Sequence, residues 1–220
     1  MKNTPEIQGT LRRHRIELPK AIYEASGILI FGKRIKSILF STDVAVIRNT
    51  NADAVMAVYP FTPQPVITHA IMSAADVPVF CGVGGGITTG KRVTHLSQDA
   101  EFQGAMGVVV NAPTPNETIR YMKDTIDIPI VVTVVSEKED FKSRVEAGVS
   151  IFNVSGAEKT AAIIKKIKSQ FPDMPVIGTG GPTEETISET IKAGANAITF
   201  TPPTPAQIFK GIMTKYRETY

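Results

Sequence analysis

Five glycines and two cations crowd one short segment, Cys81-Gly-Val-Gly-Gly-Gly-Ile-Thr-Thr-Gly-Lys-Arg92. Backbone N–H groups with no side chains around them can close on an anion, and nearby cations strengthen the hold. Gly84, Gly85, Gly86 and Lys91 are therefore candidate binding residues. Gly85 through Lys91 satisfies GxxxxGK, but Arg92 stands where a nucleoside-triphosphate loop needs Ser or Thr for magnesium. The plainer alternative is a tight turn with Lys91 and Arg92 in solvent. A second glycine turn, Thr179-Gly-Gly-Pro-Thr-Glu-Glu185, offers the N–H groups of Gly180, Gly181 and Thr183 to a phosphate. Asp43 could accept a proton, the step an enolisation needs. Asn111, Asn153 and Thr133 could orient substrate oxygens and stabilise an enolate. Cys81 reads either as a buried thiol or as a thiolate favoured by the glycines and Lys91 beside it.

These residues share a place in the chain pattern. Eight short apolar runs, rich in β-branched residues, alternate with longer amphipathic segments. The runs are Ile35–Ser41, Ala54–Tyr59, Val79–Cys81, Ala105–Val110, Ile130–Val134, Val149–Asn153, Val176–Gly178 and Ala195–Phe200. Runs apolar on both faces are strands of a buried parallel sheet. Their boundaries repeat two by two. Asp-x-Pro introduces the third, fifth and seventh, at Asp76, Asp127 and Asp173, and the prolines recur at 51 and 46 residues. A helix-ending glycine introduces the fourth, sixth and eighth, at Gly104, Gly148 and Gly194. Two strand–helix units repeated about four times predict a closed α/β architecture, a (β/α)8 barrel, rather than an open doubly wound sheet.

In such a barrel the site lies at the C-terminal ends of the strands, where every candidate above falls. The list is rich in hydroxyls and amides and poor in charge. Three Ser/Thr-x-x-Glu boxes, ending at Glu117, Glu139 and Glu158, assign those carboxylates to helix starts. Asp43 is then the one strand-end carboxylate without a capping role. Pro63, Pro115 and Pro182 fit first helical turns. Residues 1–26 form an N-terminal extension with a lead-in helix at Pro19–Ser26, and 27–220 form the barrel. A hairpin turning at Gly32-Lys33 leads into the first strand.

Composition bounds the rest. The 220 residues are 42% hydrophobic and 20% charged, as in ordinary globular chains, with net charge +3 and a single cysteine. One cysteine excludes an intramolecular disulfide framework and fits a cytoplasmic location. His14, His69 and His95 lie too far apart for a zinc spacing, so no metal is expected. The weak charge argues against nucleic acid, and no apolar stretch suggests a membrane segment. A homo-oligomer is left open.

Residues 129–201 resemble the second half of the 2-keto-3-deoxy-6-phosphogluconate aldolase family. The likeness runs through Pro129-Ile-Val-Val-Thr133, Ile151-Phe-Asn-Val-Ser-Gly-Ala-Glu158, Val176-Ile-Gly-Thr-Gly-Gly181 and Ala193-Gly-Ala-Asn-Ala-Ile198. Ribulose-phosphate-binding barrels share these cues, and the whole chain is similar to a group of uncharacterised bacterial barrel proteins. The resemblance implies the barrel and a phosphorylated small-molecule ligand. It does not carry the aldolase reaction, because the family's Schiff-base lysine falls at Asn153 and an amide cannot form an imine.

The expectation is an enzyme acting on a small anionic, phosphorylated metabolite. It is a metal-independent lyase or isomerase, with Asp43 as acid/base and no cofactor. The alternative is a non-catalytic metabolite-binding barrel, a sensor or partner protein. A flavin barrel would need phosphate donors after the eighth strand, where Thr201-Pro-Pro-Thr-Pro205 has few.

Overall fold

A computed structural model describes residues 5, 7, 9, 10 and 15–219. His14 and most of the polar first ten residues lie outside the described residues. A short hairpin, β1 (Ile28–Ile30) and β2 (Lys33–Ile35), precedes eight parallel strands. These are β3 (Ser37–Phe40), β4 (Ala54–Ala57), β5 (Val79–Gly84), β6 (Gly107–Val110), β7 (Ile130–Val134), β8 (Ile151–Val154), β9 (Val176–Thr179) and β10 (Ala197–Phe200). They close in sequence order, with β10 pairing β3. The helices are α1 (Val44–Arg48), α2 (Pro65–Ala74), α3 (Lys91–Phe102), α4 (Asn116–Lys123), α5 (Phe141–Ala147), α6 (Thr160–Gln170), α7 (Glu184–Lys192) and α8 (Pro205–Thr219). The (β/α)8 barrel expected from the repeat is the fold observed.

The repeat has a hydrogen-bonding cause. Gly104, Gly148 and Gly194 take φ of +88°, +108° and +113°. Each donates its N–H three residues back, and the next residue donates five back: Ala105 to Ala100, Val149 to Arg144, Ala195 to Thr190. This double bond pattern satisfies the last carbonyls of a helix and turns the chain sharply. Each strand then begins two residues later than the apolar run suggests, because the first two residues complete the turn. Pro78, Pro129 and Pro175 have no N–H to give, and their carbonyls accept from Val55, Val108 and Phe152 on the preceding strand.

Alternation along the strands divides two cores. Outward residues such as Leu39, Val55, Val108, Val132 and Phe152 bury against the helices. Inward residues Ile38, Met56, Phe80, Val109, Val131, Ile151 and Ile177 fill the lumen, together with Ile28, Ile30 and Ile35 of the hairpin. The hairpin's apolar face thus plugs the lumen below the strands. Full burial of one such side chain is worth roughly 1.5–3 kcal/mol.

Several local expectations are corrected. The hairpin turns at Phe31-Gly32 (φ +47° and +80°), and Lys36 breaks the chain before the first barrel strand begins at Ser37. The lead-in segment is a 3-10 helix, Lys20–Glu24, with Ala21 and Ile22 in the helix-side core. None of the three expected capping boxes forms. Asp140 caps α5, Pro115 precedes α4, and Gly156 and Lys159 lead into α6 without side-chain caps. Glu139 pairs instead with the buried Arg144 (Nε to Oε1, 2.7 Å), which also donates to the carbonyls of Ala112 and Thr114 and to Asn116 Oδ1. The expected first-turn prolines move too: Pro65, not Pro63, opens α2, and Pro182 lies ahead of the cap of α7.

Candidate functional site

One register step above the apolar lumen layer, the inward positions of four consecutive strands turn polar. They are Thr133 on β7, Asn153 on β8, Thr179 on β9 and Thr199 on β10. Thr133 is paired in register with Asn153, and Thr179 with Thr199. Asn153 Nδ2 donates to Thr133 Oγ1 at 3.2 Å. The opposite wall is apolar: Phe40 on β3, Met56 on β4 with Val58 just beyond it, and Val109 on β6. Together they enclose a cavity of about 250 Å³ at the barrel mouth.

Two polar atoms in this cavity have no protein partner. Asn153 is 7% exposed and its Oδ1 is unbonded; Thr199 is 6% exposed and so is its Oγ1. A buried polar group left unpaired costs about 1–3 kcal/mol. Where such groups line an open cavity, solvent or a ligand that replaces it can satisfy them.

A second cavity of about 140 Å³ adjoins the first, sharing Val58 and Asn111. Its walls are the β4–α2 and β5–α3 loops. Tyr59 Oη accepts from Gln64 N at 2.9 Å and closes the first loop on itself. In the second loop Gly85 N donates to Thr88 O, and Gly84 O accepts from Asn111 N. Close approach dictates the glycine there: at Gly85, φ is +106° and a Cβ would lie 2.5 Å from Asn111 Cβ. Phe61 and Ile87 stand on the lip, 73% and 95% exposed.

The structure therefore gathers Asn111, Thr133, Asn153 and Thr179 around one cavity, with Gly84 and Gly85 in the adjoining one. Gly86 and Lys91 lie exposed beside them and line neither. Gly180 and Gly181 line a separate hollow behind Thr179, whose wall includes Glu158 and Glu189. There Gly180 N is already spent on Thr199 O, and a Cβ on Gly180 would press on Ile187 and Ile198. Thr183 caps α7 and forms a reciprocal box with Thr186. Packing and capping account for this glycine turn without a ligand.

Asp43 caps α1: its Oδ1 accepts from Val46 N at 2.9 Å, and it lines neither mouth cavity. So the carboxylate singled out for lacking a capping role has one. Cys81 points to the helix side, with Sγ 3.9 Å from Met72 Sδ, and burial pushes its thiol up to about 12. A thiolate at neutral pH is excluded. His69 and His95 sit exposed on α2 and α3.

Sequence reasoning places Thr199 at the end of the eighth strand without singling it out for the site, and passes over the apolar wall and the lip. The signal was available: reading every second residue of each run upward from the lumen reaches Thr133, Asn153, Thr179 and Thr199 together. Arg144 carried no such signal, because its bonds to residues 112–116 follow from loop packing.

No protein-family model matches the chain, and no curated protein matches it. Solved structures do. A 2,3-dimethylmalate lyase, a member of the PEP mutase/isocitrate lyase superfamily, superposes with a TM-score of 0.64 at 12% identity, over 96% of this chain and 86% of that one. A candidate phosphonomutase from Burkholderia cenocepacia J2315 gives 0.63 at 15%, over 84% and 92%. Phosphonopyruvate hydrolase in complex with oxalate and Mg++ gives 0.61 at 13%, over 84% and 80%. At these identities the likeness shows the barrel. It does not single out the 2-keto-3-deoxy-6-phosphogluconate aldolase group. No Asp, Glu, His or Cys side chain lines either mouth cavity, and among the described residues no three of them stand together. The residues present do not fit a metal ion at the mouth.

Proposed function

We propose that this barrel is an enzyme acting on a small, oxygen-rich anionic metabolite bound at the mouth, of lyase or isomerase type. The observation that carries the reading is the pair of buried, unpartnered groups, Asn153 Oδ1 and Thr199 Oγ1, on the polar half of the cavity. The Thr199 hydroxyl can donate to an anionic ligand oxygen, and Asn153 Oδ1 can accept from a ligand hydroxyl beside it. Lyases and phosphonate enzymes among the barrels of similar shape are consistent with this class of substrate.

The anion in this reading is a carboxylate. A phosphate at the glycine turn after β9 would bring a second charge against Glu158 and Glu189, which share that hollow. Imine chemistry is not part of the proposal, since no lysine lines either mouth cavity. Asp43 is the carboxylate the sequence offers for proton transfer; it follows β3 at the mouth end of the barrel but lines neither cavity. One of its oxygens is engaged by the helix start. Asparagine caps a helix as well as aspartate does but cannot accept the proton. Asp43→Asn should therefore keep the melting temperature and lower turnover by ~10²–10⁴-fold.

A second reading, a non-catalytic metabolite-binding barrel, is favoured by one observation: Tyr59 is the only ionisable side chain lining the two cavities. A thermal-shift screen of hydroxy acids, oxo acids and sugar phosphates tests both. Asn153→Leu should abolish the shift given by any binder. A binder whose shift survives Asn153→Leu overturns the assignment of the mouth. A binder that is never turned over, with Asp43→Asn indistinguishable from wild type, establishes the binding protein.

A further inference from the structure

The mouth is polar chiefly on one side, with Asn111 alone on the other, just past β6. Thr133, Asn153, Thr179 and Thr199 come from four consecutive strands, and the facing wall is Phe40, Met56, Val58 and Val109. The apolar wall does not end at the cavity. Val58 belongs also to the adjoining cavity, where Pro60, Phe61, Pro63 and Ile87 form an apolar strip to the lip among Tyr59, Thr62, Thr88 and Asn111. Phe61 and Ile87 hold large apolar side chains 73% and 95% in solvent, on loops otherwise tied down by Tyr59 and by the Gly85–Thr88 bond. Apolar groups gathered at the rim of a polar pocket are a place for apolar ligand surface.

We infer that the ligand is a hydroxy acid with an apolar arm. Its head lies against the polar half-ring, and its arm runs over Val58 into the cleft between Phe61 and Ile87. This rests on the mouth being the binding site, as argued above. The chemistry of the head follows from what is spent and what is free. Asn153 Nδ2 already donates to Thr133, so its free oxygen accepts, and the ligand must bring a donor: the hydroxyl. The Thr199 hydroxyl then donates to the carboxylate. The two cavities, about 250 and 140 Å³, are each too small for a nucleotide-sized group and together suit a head with an arm of several carbons.

The probes are straight-chain 2-hydroxyalkanoates of three to eight carbons, titrated calorimetrically into the full-length protein. Affinity should rise about fourfold for each methylene that is buried and level off once the cleft is filled. Phe61→Ala and Ile87→Ala should flatten the rise. Asn153→Leu should remove binding of every member. A series in which the short acids bind and chain length changes nothing overturns the arm and leaves the mouth reading standing. A series in which no member binds overturns the hydroxy-acid assignment. In that case the apo stability of Thr199→Val decides the mouth separately. A rise in melting temperature shows that the buried hydroxyl is kept for a ligand of another class, and no rise shows that it is not.

Discussion

Two glycine-rich turns follow strands of this barrel, and they are built oppositely. The turn after β9 is closed on itself. Gly180 gives its N–H to Thr199, a Cβ on Gly181 would press on Thr186, and Thr183 with Thr186 satisfies the start of α7, whose first turn also carries Glu184 and Glu185. The loop after β5 also spends glycine N–H groups, Gly85 on Thr88 O and Gly90 on Thr118 Oγ1, but the helix start behind it is uncapped by any side chain. Gly90 caps α3 without a side chain, the first turn of that helix holds no acidic residue, and Lys91 and Arg92 stand exposed at its positive end. Acidic side chains at a helix start are stabilising and cations there are not. One turn is arranged for the stability of its own helix. The other leaves its helix start without a side-chain cap beside the apolar lip of the mouth. Glycine content alone does not distinguish them; how the helix start behind each is capped does.

The contrast can be broken by substitution. The largest effect is expected at Gly85, where a side chain meets the backbone of Asn111 and φ is +106°. Gly85→Val should cost about 2–4 kcal/mol in urea unfolding. Gly86→Val, with φ +71° and nothing within 4 Å, should cost clearly less. Equal costs would show that backbone strain alone, not the contact with Asn111, demands glycine at position 85.

Capping comes next. Thr183→Ala should lower stability by about 1 kcal/mol and leave ligand binding at the mouth unchanged, because that hydroxyl serves only α7. A loss of binding larger than the loss of stability would bring the β9 turn back into the site.

The smallest effect sharpens the contrast most. Lys91→Glu puts a negative charge at the start of α3 and should raise stability by a few tenths of a kcal/mol. It should at the same time weaken binding of an anionic ligand, with the loss shrinking as salt is added. A gain in stability without any loss of binding would make Lys91 an ordinary solvated side chain.

These turns also mark how far the sequence could be read. The barrel was legible because its cause is local and repeated: a left-handed glycine ends a helix, a proline opens a strand, and β-branched runs lie between. The polar layer was half legible. Thr133, Asn153 and Thr179 were found as strand ends, and their common facing follows from a period of two. Asp43 was misjudged because its cap is made by a lone carboxylate on a five-residue helix, which has no box signature. The three Ser/Thr-x-x-Glu patterns failed for the converse reason. At Glu139 the pattern fits, but the helix starts later, with Asp140 as its cap, and Glu139 pairs with Arg144 five residues on. Only the other partners of Arg144, at residues 112–116, depend on how two loops pack.

The seam of the barrel has a consequence for how the chain is made. β3 and β10 close the ring, and Asn196 clasps the seam by donating to Ser26, 170 residues away, while its Oδ1 accepts from Lys168 Nζ and Val176 N. During synthesis the first strand leaves the ribosome long before its partner exists. Until about residue 200 has emerged, β3 carries an unpaired edge and the lumen is open on one side. The hairpin is made before any barrel strand. From the outset it can cover the inner face of β3 with Ile28, Ile30 and Ile35, which belong to the same buried cluster as Ile38. The plug at the floor is thus also the earliest shelter for the nascent sheet, available while the closing strand is still being translated.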